Sequence, residues 1–133
     1  MPLQNLNLLA VLAAALSSFL VGGLWYSALF GAQWRRANGF TDDAVPAAAP
    51  KTFIISFVLS LFMALNLAAF LNDPKTSAAW GATAGFLAGF GWVAMGIAIV
   101  SRFERRPWSY VFVNGGYLTV ALTVMGLILG AWR

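Results

Sequence analysis

The sequence predicts an all-α membrane protein, four transmembrane helices in a compact bundle, and three observations carry that prediction. The first is composition: of 133 residues 61% are hydrophobic and 9% charged, with a mean hydropathy of +0.80. Soluble domains run nearer to about 45–50% and about 25%. The second is the division of the chain into four apolar runs by short polar links, each run close to the ~20 residues that cross a hydrocarbon core. The third is the recurrence of small residues at intervals of four in the runs. Helices in lipid associate through such small faces, because lipid leaves no hydrophobic drive between them and close packing must replace it.

The first run, Leu6 to Phe30, is 25 residues long. That exceeds a signal-peptide core, and no Lys or Arg precedes it, so it is expected to be a mature helix. Residues 31–51 follow as the one sizeable loop, carrying Arg35, Arg36, Gly39, Pro46 and Pro50. Thr41 before Asp42 and Asp43 reads as an N-cap for a short surface turn, or the stretch is a plain solvated linker. Phe53 to Leu71 forms the second span, with Ser56, Ser60, Ala64 and Ala68 at intervals of four, and Asn72-Asp73-Pro74 ends it. Ala78 to Val100 forms the third span and Trp108 to Trp132 the fourth. The two short links are expected to join antiparallel neighbours.

Gly81, Gly85, Gly89, Trp92 and Gly96 fall in one stripe of the third helix, about 80° wide at ~100° per residue. The first helix carries Ala14, Ser18, Gly22 and Trp25, which meet Gly81, Gly85, Gly89 and Trp92 at a constant offset of 67. This is either a tandem two-helix repeat, parallel about an axis along the membrane normal, or the coincidence that a chain rich in Ala, Gly and Leu produces. Helices 2 and 4 match poorly at that offset. The fourth helix has its own small stripe of Gly115, Thr119, Thr123, Gly126 and Gly130.

The net charge of +4 comes from eight Lys and Arg residues at the ends of the runs, where orientation signals sit, so it reads as topology rather than nucleic-acid binding. Residues 31–52 and 101–107 hold six of the eight, and Lys75 and Arg133 are the other two. The positive-inside rule then places those two loops in the cytoplasm and both termini outside, in a multi-pass protein. Trp34 and Trp108 near the inner boundary, with Trp80 and Trp132 near the outer one, fit an aromatic belt.

Chemistry has little to work with. The chain has no Cys and no His, and its four acids, Asp42, Asp43, Asp73 and Glu104, lie outside the runs. A proton relay lacks its carboxylate, and a nucleophile lacks a base. No enzyme activity, cofactor or metal is expected. What remains is an aromatic and polar group, Trp25, Tyr26, Ser27, Trp92, Asn114 and Tyr117. Measured from the predicted inner ends at ~1.5 Å per residue, these residues share a depth and form a candidate pocket. The alternative is that the tyrosines belong to the interfacial belt and Asn114 is interhelical glue.

Gly22-Gly23-Leu24-Trp25-Tyr26-Ser27, then Phe30-Gly31 and Trp34, the Gly-rich third helix, Asn114-Gly115-Gly116-Tyr117 and the closing Met125-Gly126 to Trp132 resemble an uncharacterised family of small four-helix bacterial membrane proteins, domain of unknown function 1761. The resemblance covers nearly the whole chain and implies a bacterial origin, hence a place in the inner (cytoplasmic) membrane, and a four-span fold. It implies no activity and no binding residues.

Two functions fit these features. One is a self-associating packing or interaction bundle, a homo-oligomer or membrane-complex subunit. The other is a small-solute channel or transporter formed in a homo-oligomer. Water access at the level of Trp25, Trp92 and Asn114 distinguishes them.

Overall fold

A computed structural model of the chain describes residues 5–40 and 49–133. The turn expected at Thr41–Asp43 lies outside them. Six α-helices are described: α1 (Leu8–Leu24), α2 (Gly31–Ala37), α3 (Pro50–Phe70), α4 (Ala78–Ala88), α5 (Met95–Phe103) and α6 (Trp108–Ala131). A π-helical turn, Trp25–Leu29, extends α1, and a second, Gly89–Ala94, joins α4 to α5 without a break. The four resulting segments long and apolar enough to cross a membrane are Leu8–Leu29, Pro50–Phe70, Ala78–Phe103 and Trp108–Ala131.

Local chemistry sets the ends. Asn7 caps α1 by accepting from the Ala10 N–H at 3.1 Å, and Ser77 caps α4 by accepting from the Trp80 N–H, also at 3.1 Å. Pro50 opens α3 at a first-turn position, where a missing N–H costs nothing. α2 closes on Gly39 at φ 72°, with Phe40 N–H bonded to the Arg35 carbonyl and Gly39 N–H to that of Arg36. α5 closes the same way on Arg105 at φ 57°, through Arg106 to Ser101 and Arg105 to Arg102. Both are Schellman closures, and the one at α2 adds its usual apolar contact, Phe40 against Trp34 at 5.4 Å.

α6 is the hub of the bundle. It packs along α4 and the π turn after it, and along α1 on another side, while α3 leans chiefly on α1. The core lies among Ala10, Ala14 and Ala15 of α1, Ala64 and Leu67 of α3, and Leu122, Met125 and Leu129 of α6. Leu and Phe side chains such as Leu20, Phe62, Phe70 and Phe112 point outward, as a lipid-facing surface requires.

The α4–α6 seam shows why glycine sits where it does. A Cβ on Gly81 would run into the Gly126 carbonyl, one on Gly85 into that of Leu122, and one on Gly130 into that of Ser77. At Gly89 it would stand 2.7 Å from the Thr119 Cα. The two backbones therefore touch directly, which only side-chain-free positions permit.

Two expectations about packing require correction. Of the short links, only residues 104–107 join neighbours that pack, α5 and α6; α3 and α4 scarcely touch. The glycine face of α4 is taken up by α6, and between α3 and α4 runs a groove of about 360 Å³ lined by Leu67, Phe70, Trp80, Ala84 and Leu87 among others. The second correction concerns the far end of the stripe. Trp92 is 73% exposed and Gly96 has open space where its Cβ would be. The π turn is the cause: it admits one extra residue per turn, so the buried face runs Gly81, Gly85, Gly89, then Ala94 and Ser101. Gly115 of α6 meets Ala94, 3.1 Å from a Cβ built on the glycine to that of the alanine.

The offset of 67 acquires a partial structural counterpart. Spans one and three are both α-helix interrupted by a π turn near the matched tryptophan, and each leads to a Schellman closure. Their surroundings differ: Trp25 is half-buried against α6, whereas Trp92 faces outward.

Candidate functional site

Five of the six residues of the expected pocket group belong to the stretch where span one meets α6. The π turn starts at Trp25, with the Phe30 N–H reaching back five residues to the Trp25 carbonyl at 2.8 Å. Its wider winding brings two consecutive side chains, Trp25 and Tyr26, onto α6. Leaving the turn requires Gly31, where a Cβ would lie 2.9 Å from the Tyr26 carbonyl oxygen.

The Trp25 indole donates from Nε1 to the Val113 carbonyl at 2.8 Å. Gly116 makes this possible, since a Cβ there would come within 2.8 Å of the Trp25 ring. The Tyr26 hydroxyl donates to Asn114 Oδ1 at 2.6 Å, and Asn114 Nδ2 donates to the Tyr110 carbonyl at 3.1 Å. The Tyr117 hydroxyl donates to the Ser18 carbonyl at 3.0 Å, crossing from α6 to α1 beside Gly22, whose Cβ position is 3.2 Å from that ring. The Tyr26 and Tyr117 rings meet edge to face with centroids 5.2 Å apart, and Trp34 of α2 adds a further edge contact to Tyr26 at 6.1 Å.

Ser18 itself bonds outward, its hydroxyl 3.1 Å from that of Ser60 on α3. Ser27 stands apart from the cluster: it is exposed and turns its hydroxyl back to the Gly23 carbonyl. Trp92 lies on a different face altogether, so the six residues do not line one cavity. Among the described residues no buried side-chain nitrogen or oxygen lacks a partner. No group of three or more acids among them is placed to hold a metal.

A second polar assembly, at the end where Asn5 and Arg133 lie, escaped the sequence reading. Arg133 donates from Nη1 to the Leu71 carbonyl at 2.7 Å and from Nη2 to that of Asp73 at 2.9 Å, while Asn7 Nδ2 reaches the Trp132 carbonyl at 3.4 Å. A small cavity of about 80 Å³ lies among these residues. Arg133 thus sets a cation against the C-cap carbonyl of α3 and a carbonyl of the link just beyond it, where the partial negative charge of the helix end favours it. The only signal in the sequence is a handful of asparagines near span ends, Asn5, Asn7 and Asn72.

Four apolar spans, three of them gathered against α6, with buried polar side chains bonded within or between helices, define a multi-pass α-helical membrane protein. Residues 9–130 match the profile of the family described as protein of unknown function DUF1761, and the chain belongs to that family. No curated protein and no solved structure shows a detectable match.

Proposed function

We propose that the protein is a non-enzymatic assembly subunit of the bacterial inner membrane that works as a homo-oligomer, with its termini outside and the loops at residues 31–52 and 101–107 in the cytoplasm. One observation carries the reading. Four of the six side chains of the expected pocket group take part in bonds from helix to helix, Tyr26 with Asn114, Trp25 with Val113 and Tyr117 with Ser18, which supports a packing role over a passage. The charge split of six against two supports the orientation. Cations at the ends of lipid-embedded helices suit headgroups and give no ground for a nucleic-acid partner.

The unfilled seam between α3 and α4 is where a second copy docks in this reading. Small residues, Ala84 and Ala88, floor it and Phe70, Trp80 and Leu87 wall it, leaving room for a helix to approach closely. The chain has no cysteine, so Leu87→Cys creates a unique site for a short bismaleimide crosslinker in native membranes. Crosslinked dimers that disappear when Ala84→Trp fills the seam are the expected result. Monomer alone, with monomer also in native mass spectrometry, would overturn self-association. Solute flux through proteoliposomes that Asn114→Leu abolishes would favour a transporter instead.

A further inference from the structure

A second groove, on the other end of span three, has a composition that the assembly role does not use. It measures about 360 Å³ and runs from Trp92 past Gly96 and Val100 to Glu104 and Tyr110 at the membrane boundary. The π turn creates it by rotating Gly96 away from α6, so nothing lies within 4 Å of a Cβ built there. The interior of the groove is apolar. Its mouth is charged.

Arg106 marks that mouth by two contacts with groove-lining residues: its guanidinium lies 5.1 Å over the Tyr110 ring, and its Nε is 3.9 Å from the Glu104 carboxylate. Both partners of the ion pair are solvent-exposed and its geometry is long, so it holds Arg106 only weakly. Arg102 is stacked 4.0 Å over the adjoining Trp108 ring, and Arg105 is exposed at the apex of the link. The segment 102–106 therefore sets three guanidinium groups against a single carboxylate, and two of the three are already ordered on aromatic faces. Guanidinium favours phosphate because its planar fork can donate two parallel hydrogen bonds.

We propose that this groove is a binding site for one anionic phospholipid, with an acyl chain along Trp92, Gly96 and Val100 and the phosphate at Arg106. The surplus of cations over the one acid selects an anionic headgroup over a zwitterionic one. An apolar slot alone accepts any lipid, and exposed cations alone attract any anionic surface; their continuity at Tyr110 makes a site.

The test is native mass spectrometry of the full chain in detergent, titrated separately with phosphatidylglycerol and phosphatidylcholine. One phosphatidylglycerol should bind in preference. Arg106→Gln should weaken it about fivefold, the factor that ~1 kcal/mol per basic residue corresponds to. Gly96→Leu, whose Cβ would meet nothing within 4 Å and whose longer branch would enter the groove, should weaken it although every cation remains. Arg36→Gln, on the same side of the membrane but outside the groove, should change nothing. Equal binding of the two lipids, or parental binding by Gly96→Leu, would overturn the proposal and leave diffuse electrostatic attraction only. Val100→Trp blocks the same slot and replaces Gly96→Leu if that variant does not fold.

Discussion

Asn114 shows how much one amide matters inside lipid. Left unpaired in hydrocarbon it would cost several kcal/mol on transfer scales, of order 2–7, and the structure answers with Tyr26 on one side and the Tyr110 carbonyl on the other. Asn114→Leu removes both bonds and leaves the Tyr26 hydroxyl to find another acceptor. The expected loss is about 1 kcal/mol or less, as interhelical bonds in membranes generally show, read as a lowered unfolding midpoint in detergent. Gly85→Leu should be far worse, because any side chain there meets the Leu122 carbonyl and must prise α4 from α6. Leu87→Ala should be nearly silent in the monomer, since Leu87 is 55% exposed. An order reversed from this would mean that the α4 glycines do not face α6. The reading of Asn114 as interhelical glue, one of two alternatives, followed from polarity and depth, which did not decide between Tyr26 and Ser27 as its partner. The places of Ser27 and Trp92 did not follow from them, because exposure depends on how far each helix is rotated, and the π turns alter that rotation.

At the scale of the element, the decisive feature is a single extra residue in span three. Regular 3.6-residue winding aligns Gly81, Gly85, Gly89, Trp92 and Gly96 more tidily than the face that is actually buried, Gly81, Gly85, Gly89, Ala94 and Ser101. Helix existence and span limits were therefore legible to within a few residues from apolar length alone, whereas the π turn, which has no compositional mark, was not. A π turn behaves as an α-helix carrying one inserted residue. Deleting Gly91, which is exposed and meets nothing within 4 Å, should convert the turn to α-helix while both halves keep their faces on α6. Deleting Phe86, five positions earlier, should instead rotate the glycine face of α4 by about 100° relative to the rest. We expect the first deletion to retain a folded monomer by size-exclusion chromatography and the second to aggregate. Equal behaviour of the two would show that the turn does not set the register.

The whole molecule is a set of spans organised by α6, with six of its eight basic residues toward one end. A reporter fused after Arg133 should be active in the periplasm, and cytoplasmic activity would reverse the proposed orientation. The overall architecture was readable from four apolar runs, but the neighbour relations were not. Chain order suggests that α3 and α4 pack, while the glycines of α4 and α6 pair those two instead. That arrangement bears on how the protein is made. Synthesis delivers the N-terminal spans first, at roughly 5–20 residues per second, and the helix on which spans one and three both depend emerges after them. Until Trp108–Ala131 enters the bilayer, Gly81, Gly85 and Gly89 face lipid with no backbone to meet, and α1 has only α3 beside it. A chain stopped at Arg106 should insert its three spans yet remain open to protease and to degradation, and supplying the fourth span as a separate peptide should protect it.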